Sequence, residues 1–107
     1  MKQITAPALA ARLRDPGQGK PLLLDVREPW EYEICRIEGS QLLPMGEIPA
    51  RAGELDPDEA LVVICHHGAR SLQVALFLEK QGFSDVTNLT GGVNAWAKTV
   101  DPAMPVY

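Results

Sequence analysis

The stretch LVVICHHGARSLQVALFLEKQG, residues 61–82, decides how this chain folds. A β-branched apolar run, Leu61–Ile64, stops at Cys65, and a short loop containing Gly68 and Arg70 follows. The next residues, SLQVALFLEKQ, form a helix, and Gly82 suits the position just past its end. An unbroken apolar run of this kind marks a strand buried on both faces of a parallel sheet. Strand, loop and helix in this order set Cys65 at the carboxyl end of the strand, where sheets of this class bind ligands. The same order places the thiol beside the positive end of a helix.

Working outward, the same alternation recurs. Gln3–Thr5 is expected to be a short strand, with Thr5 or Ala6 opening a helix through Arg14 that Asp15-Pro16-Gly17 stops. Pro21–Val26 is a second buried strand, and Pro29 starts a short helix over Trp30–Cys35. Gln41–Leu43 is a strand ended by Pro44, Glu47–Leu55 a weak helix, Asp85–Leu89 the last strand and Val93–Thr99 the last helix. The segment after it, DPAMPVY, reads as irregular. Five strands alternating with helices predict an α/β fold, a mostly parallel sheet covered by helices on both faces, in one domain over residues 1–107.

Composition narrows the function. The net charge of −4 and ten scattered Lys and Arg residues argue against nucleic acid or an anionic membrane as partner. The first eighteen residues lack the apolar core of a signal peptide, and no apolar stretch is long enough to span a bilayer. Two cysteines, Cys35 and Cys65, fit a reducing compartment better than a disulfide scaffold, so a cytoplasmic protein with free thiols is expected.

The loop after Cys65 carries the chemistry. Amides from His66, His67, Gly68, Ala69, Arg70 and Ser71 can form an anion-binding nest around the sulfur. Gly68 permits a positive φ, Arg70 brings a permanent charge and a fork of donors toward the sulfur or an incoming oxyanion, and Ser71 can cap the helix or donate to the thiolate. This reads as cysteine nucleophile chemistry. His66 and His67 are consecutive with Cys65, cannot readily converge on one ion, and have no second cluster to complete a site, so no metal is expected. Their expected role is to shape the loop and bias its electrostatics, with general-base action secondary.

At these residues the chain resembles the rhodanese family, in particular its small single-domain sulfurtransferases. LLLDVREPWEY (Leu22–Tyr32), IEGS (Ile37–Ser40) leading to Leu43-Pro44, VVICHHGARS (Val62–Ser71), GFSDVTNL (Gly82–Leu89) and GGVNAW (Gly91–Trp96) carry the resemblance over almost the whole length. The resemblance implies a five-stranded, mostly parallel domain and transfer of a sulfane sulfur through a persulfide on Cys65, with His66 to Arg70 surrounding it. It implies double displacement: the Cys65 thiolate takes the outer sulfur of a donor such as thiosulfate, and a thiol or cyanide removes it. The partners implied are a small-molecule or protein sulfur donor and such an acceptor, with no cofactor, in a monomer or weak homodimer. Asp25 and Arg27 match the family's Asp-Val-Arg and are read as a structural pair near the active-site end; Trp30, Tyr32 and Trp96 are read as core or rim packing.

Two departures stand out. Where family members commonly have Gly-His-Ile, this chain has Cys35-Arg36-Ile37, and Cys35 is weighed as a resolving thiol for the persulfide against a packed bystander. The loop also has two histidines where thiosulfate users often carry Lys or Arg, which leaves Arg70 and the loop dipoles as the anion-attracting charge and makes thiosulfate a poor substrate. Two rivals are a non-catalytic rhodanese-like binding module and a cysteine-dependent phosphatase or arsenate reductase. Spacing speaks against the second: four residues separate Cys65 from Arg70, whereas cysteine phosphatases use Cys-x5-Arg to cradle a tetrahedral phosphate.

Overall fold

The computed structural model describes residues 1–107. Its strands are β1 (Lys2–Ile4), β2 (Leu22–Asp25), β3 (Gln41–Leu42), β4 (Leu61–Ile64) and β5 (Val86–Leu89). Its helices are α1 (Ala6–Arg14), α2 (Pro29–Ile34), α3 (Ile48–Arg51), α4 (Ala69–Lys80) and α5 (Gly92–Thr99). The sheet order is β1-β5-β4-β2-β3. All four neighbouring pairs are parallel, a stricter arrangement than the mostly parallel sheet expected.

The pleat sorts alternate residues into two apolar cores. Leu23, Val62, Ile64 and Leu89 face α1 and α5, where Leu9, Ala10, Val93 and Trp96 complete one core. Leu24, Leu61, Val63 and Val86 face α3 and α4, where Ile48, Val74, Ala75 and Leu78 complete the other. β4 supplies both cores and lies at the centre of the sheet, which is why its four residues are all apolar and all buried.

Local signals set the helix ends. Thr5 is the N-cap of α1 rather than a strand residue, its hydroxyl accepting from the Ala8 amide at 3.3 Å. Pro29 occupies the first turn of α2. The helix expected over Glu47–Leu55 is broken: 3₁₀ turns at Met45–Glu47 and Ala52–Glu54 flank the single turn of α3. Pro49 and Gly53 within nine residues explain this, since one lacks an amide donor and the other costs helix propensity.

The loop after β4 is held from behind by α5. The amides of Val93 and Asn94 donate to the carbonyls of Cys65 (2.9 Å) and His66 (3.0 Å), so the free first turn of α5 satisfies the loop's acceptors. This approach requires glycine at position 92, whose φ is +57° and where a Cβ would overlap both carbonyl oxygens. We therefore expect Gly92→Ala to lower stability by about 3 kcal/mol or more in urea unfolding. Gly46→Ala, at an unstrained position with open space around it, should change stability by no more than about 0.5 kcal/mol.

Candidate active site

The carboxyl ends of β2, β4 and β5 converge on one edge, and Cys65 lies there, 1% exposed. It continues the pleat of Leu61 and Val63 and packs in the α3/α4 core. Cys35 packs in the α1/α5 core on the other face of the sheet. The two thiols thus share no packing, and Cys35 instead receives the Arg27 guanidinium at 3.8 Å.

The Gly68 amide donates to Cys65 Sγ at 3.0 Å, and Ser71 Oγ lies 3.3 Å from the same sulfur. Of the loop amides, Gly68 is the one that donates to the thiol sulfur. The chain turns into α4 at Gly68, whose φ of +106° aims its N–H back at the strand end. Ser71 is therefore not the helix cap, a place taken by Gly68, but the third residue of α4 with its hydroxyl facing the sulfur.

Ser71 has one hydroxyl proton, and Asn88 Oδ1 takes it. The amide side of Asn88 is committed elsewhere, to the Gly68 carbonyl at 3.3 Å and Gln3 Oε1 at 3.1 Å. With that proton on Asn88 the Ser71 oxygen can accept the S–H, while Cys65 Sγ also lies within reach of the same hydroxyl as an acceptor. When the sulfur ionises, a rotation of that hydroxyl turns it into a second donor beside Gly68. The pair can thus stabilise negative charge on sulfur without a base.

Arg70 departs from expectation. Its fork does not face the sulfur but grips Glu31 of α2, Nη1 to Oε1 at 2.7 Å and Nη2 to Oε2 at 2.8 Å. The reason is that Glu31, 3% exposed, is a nearly buried carboxylate that needs charge compensation. Its Oε1 also accepts the Glu28 amide at 2.9 Å, closing the start of α2. The hydrogen bonds from Arg70 hold the Glu31 carboxyl down at about 2, against burial, which acts the other way.

Asp25 and Arg27 form the expected pair, both fully buried, with Arg27 Nε and Nη2 at 2.9 and 2.7 Å from the carboxylate oxygens. The remaining Arg27 protons reach the Cys35 carbonyl (2.6 Å), the Glu31 carbonyl (3.3 Å) and the Tyr107 hydroxyl (2.9 Å). Tyr107 donates in turn to Glu31 Oε2 at 2.8 Å. Its ring stacks on His66 at 3.9 Å and 11° and meets the edge of Trp30 at 5.9 Å. Burial, then the neighbouring His67, pushes the His66 imidazole below its ordinary range, so it is neutral at pH 7. His67 is exposed, its ring 3.9 Å from that of His66. Ala69 is exposed and contributes the first backbone turn of α4.

Trp96 is buried in the α1/α5 core, Tyr32 donates to the Ser40 carbonyl at 2.6 Å, and Trp30 stands exposed on the rim. Arg36, where the family pattern has histidine, lies over the Tyr32 ring at 4.7 Å. Glu31, Asn88 and Tyr107 were not among the residues singled out from the sequence. Asn88 did carry a signal, being a polar residue inside a fully buried strand. Glu31 reads as an ordinary helix-start acid, and Tyr107 has no local signature.

A family model described as rhodanese-like domain matches residues 5–99. A thiosulfate sulfurtransferase (GlpE) of Pseudomonas fluorescens is 40% identical over 87% of this chain and 83% of its own length. The rhodanese-like/PpiC domain-containing protein 12 of Arabidopsis thaliana is 38% identical over the whole chain, which spans 38% of that protein. Among solved structures, a rhodanese-like domain protein from Staphylococcus aureus superposes with a TM-score of 0.84 at 30% identity, covering 100% of this chain and 99% of that one.

The Glu31 value implies a pH dependence with a definite sign. The carboxyl sits below its ordinary 4.5 in the folded protein, so the stabilisation it brings is complete above that pH and is lost as pH falls toward 2. Glu31→Gln should flatten the stability profile between about pH 5 and pH 2, measured by urea unfolding at each pH. A slope in that window equal to the wild type's would show that the carboxylate contributes nothing there.

Proposed function

We propose that this chain, which belongs to the rhodanese-like domain family, transfers a sulfane sulfur through a persulfide on Cys65. The observation that carries the reading is the sulfur itself. It stands at the carboxyl end of the central strand, accepts the Gly68 N–H and faces a hydroxyl able to become a second donor. In the first step the Cys65 thiolate attacks the outer sulfur of the donor. With thiosulfate, the S–S bond to the sulfonate breaks, sulfite leaves with the electron pair, and Cys65 holds a persulfide anion. In the second step a thiolate or cyanide attacks the terminal sulfur, the Cys65 thiolate leaves, and a new persulfide or thiocyanate forms. The amide and hydroxyl that stabilise the thiolate are placed to stabilise the persulfide anion too.

The donor preference follows from charge. Arg70 is neutralised by Glu31 and His66 is neutral, so the loop offers a small anion dipoles and little net positive charge. A neutral or singly charged persulfide suits this mouth better than the thiosulfate dianion. No helix is long and apolar enough to cross a membrane, both cysteines are free, and a reducing cytoplasm is the setting in which such a thiol works.

Incubation with thiosulfate and cyanide tests the reading. The wild type should form thiocyanate and, without cyanide, gain the mass of one sulfur at Cys65, while Cys65→Ser does neither. A wild type that does neither with thiosulfate or with an organic persulfide would overturn sulfur transfer and leave a binding module. Glu31→Gln frees the Arg70 fork, and the KM for thiosulfate should fall about three- to tenfold with kcat within about twofold. An unchanged KM would show that Arg70 pairing does not set the donor preference.

A further inference from the structure

The segment Asp101–Tyr107 crosses from the end of α5 to the mouth of the Cys65 loop. Met104 anchors it in the α1/α5 core, and Pro105 and Val106 are exposed. Tyr107 is 37% exposed, yet it is held by three elements at once. Its ring lies flat on His66, the neighbour of Cys65, and its hydroxyl accepts from Arg27 after β2 and donates to Glu31 of α2. The carboxylate it holds is the one that grips Arg70.

We propose that Tyr107 is a positioning residue that keeps the Cys65 loop closed. Its ring pins His66 and its phenol steadies Glu31 on Arg70, so a donor gains the thiol only when residue 107 lifts away. The inference builds on the reading of Cys65 as the sulfur carrier. The segment from Asp101 is held through Met104 and Tyr107 and opens at lower cost than the whole fold. Burial pushes the Tyr107 phenol up to about 12, so it stays protonated and keeps donating to Glu31 across the neutral range. Closure is therefore set by packing and hydrogen bonds, and the choice of donor by what can displace them.

The test uses alkylation, which requires no sulfur transfer. Wild type, Tyr107→Phe and Tyr107→Ala are labelled with iodoacetamide, and Cys65 and Cys35 are followed separately by peptide mass. Tyr107→Phe keeps the ring and loses both hydrogen bonds; Tyr107→Ala loses the stack as well. Cys65 labelling should rise about threefold in the first and about tenfold in the second, and by more than Cys35 labelling does. His66, titrated by NMR, should move up toward its ordinary 6.5 in Tyr107→Ala and stay low in Tyr107→Phe. Equal Cys65 rates in all three proteins would overturn the proposal. So would a rise at Cys65 that only tracks a fall in global stability in urea unfolding, because that reports loosening of the whole fold. Proteins that label in the expected order but transfer no sulfur from thiosulfate or from an organic persulfide would sink sulfur transfer and leave the closure intact.

Discussion

The site depends on a single buried guanidinium. Arg27 is fully buried, and a group with five N–H donors in such a place must find an acceptor for each. It does: Nε and one Nη2 proton go to Asp25, the other to the Cys35 carbonyl, and the Nη1 protons to the Glu31 carbonyl and the Tyr107 hydroxyl. Those acceptors come from β2, both ends of α2 and the segment after α5. Removing one partner of a buried pair costs about 3–5 kcal/mol, because the other charge is left unpaired. The desolvated pair is thus weak as a source of net stability and strong as a constraint on where its neighbours sit.

From this hub a chain of hydrogen-bonded polar groups runs to the loop: Asp25, Arg27, the Tyr107 hydroxyl, Glu31, Arg70. Each link fixes the next. The other side of the loop is set by backbone alone, through the α5 amides on the Cys65 and His66 carbonyls and the close approach of Gly92. Cys65 is thereby clamped between a side-chain network and a helix start. What remains adjustable near the sulfur is small, chiefly the Ser71 hydroxyl, whose one proton has Asn88 Oδ1, the Gly68 carbonyl and Cys65 Sγ within reach.

Most of the fold was legible because it rests on local patterns. Apolar runs of three to five residues, a proline opening α2 and the glycine after α4 mark the strands and helix ends directly, and the pleat then decides which face each residue takes. Position 65 extends the odd-numbered face of β4, and that parity puts Cys65 on the side of the sheet away from Cys35. The broken α3 region was less legible, since its propensity signals are weak and its proline and glycine fall within one turn of each other. At the site, residues joined in sequence were found, Cys65 through Ser71 and Asp25 with Arg27. Those joined only in space were missed: Glu31 bonds a residue 39 positions away and Tyr107 one 80 positions away. A side chain's type announces that it needs a partner, but not which one.

That distinction bears on how the loop handles anions. Read as a sequence, Arg70 is a free cation next to a nucleophile. In the folded chain the mouth holds Arg27 and Arg70 against Asp25 and Glu31, with His66 neutral, and its formal charge sums to zero. The protein as a whole carries −4, so no long-range field draws an anionic donor in. The donors nearest the sulfur are local, the Gly68 amide and the Ser71 hydroxyl at the end of β4. Such a loop suits the proposed persulfide, a charge created in place, better than an anion arriving from solvent. The positive charge that would reverse the preference is already present, paired with Glu31 at hydrogen-bond distance.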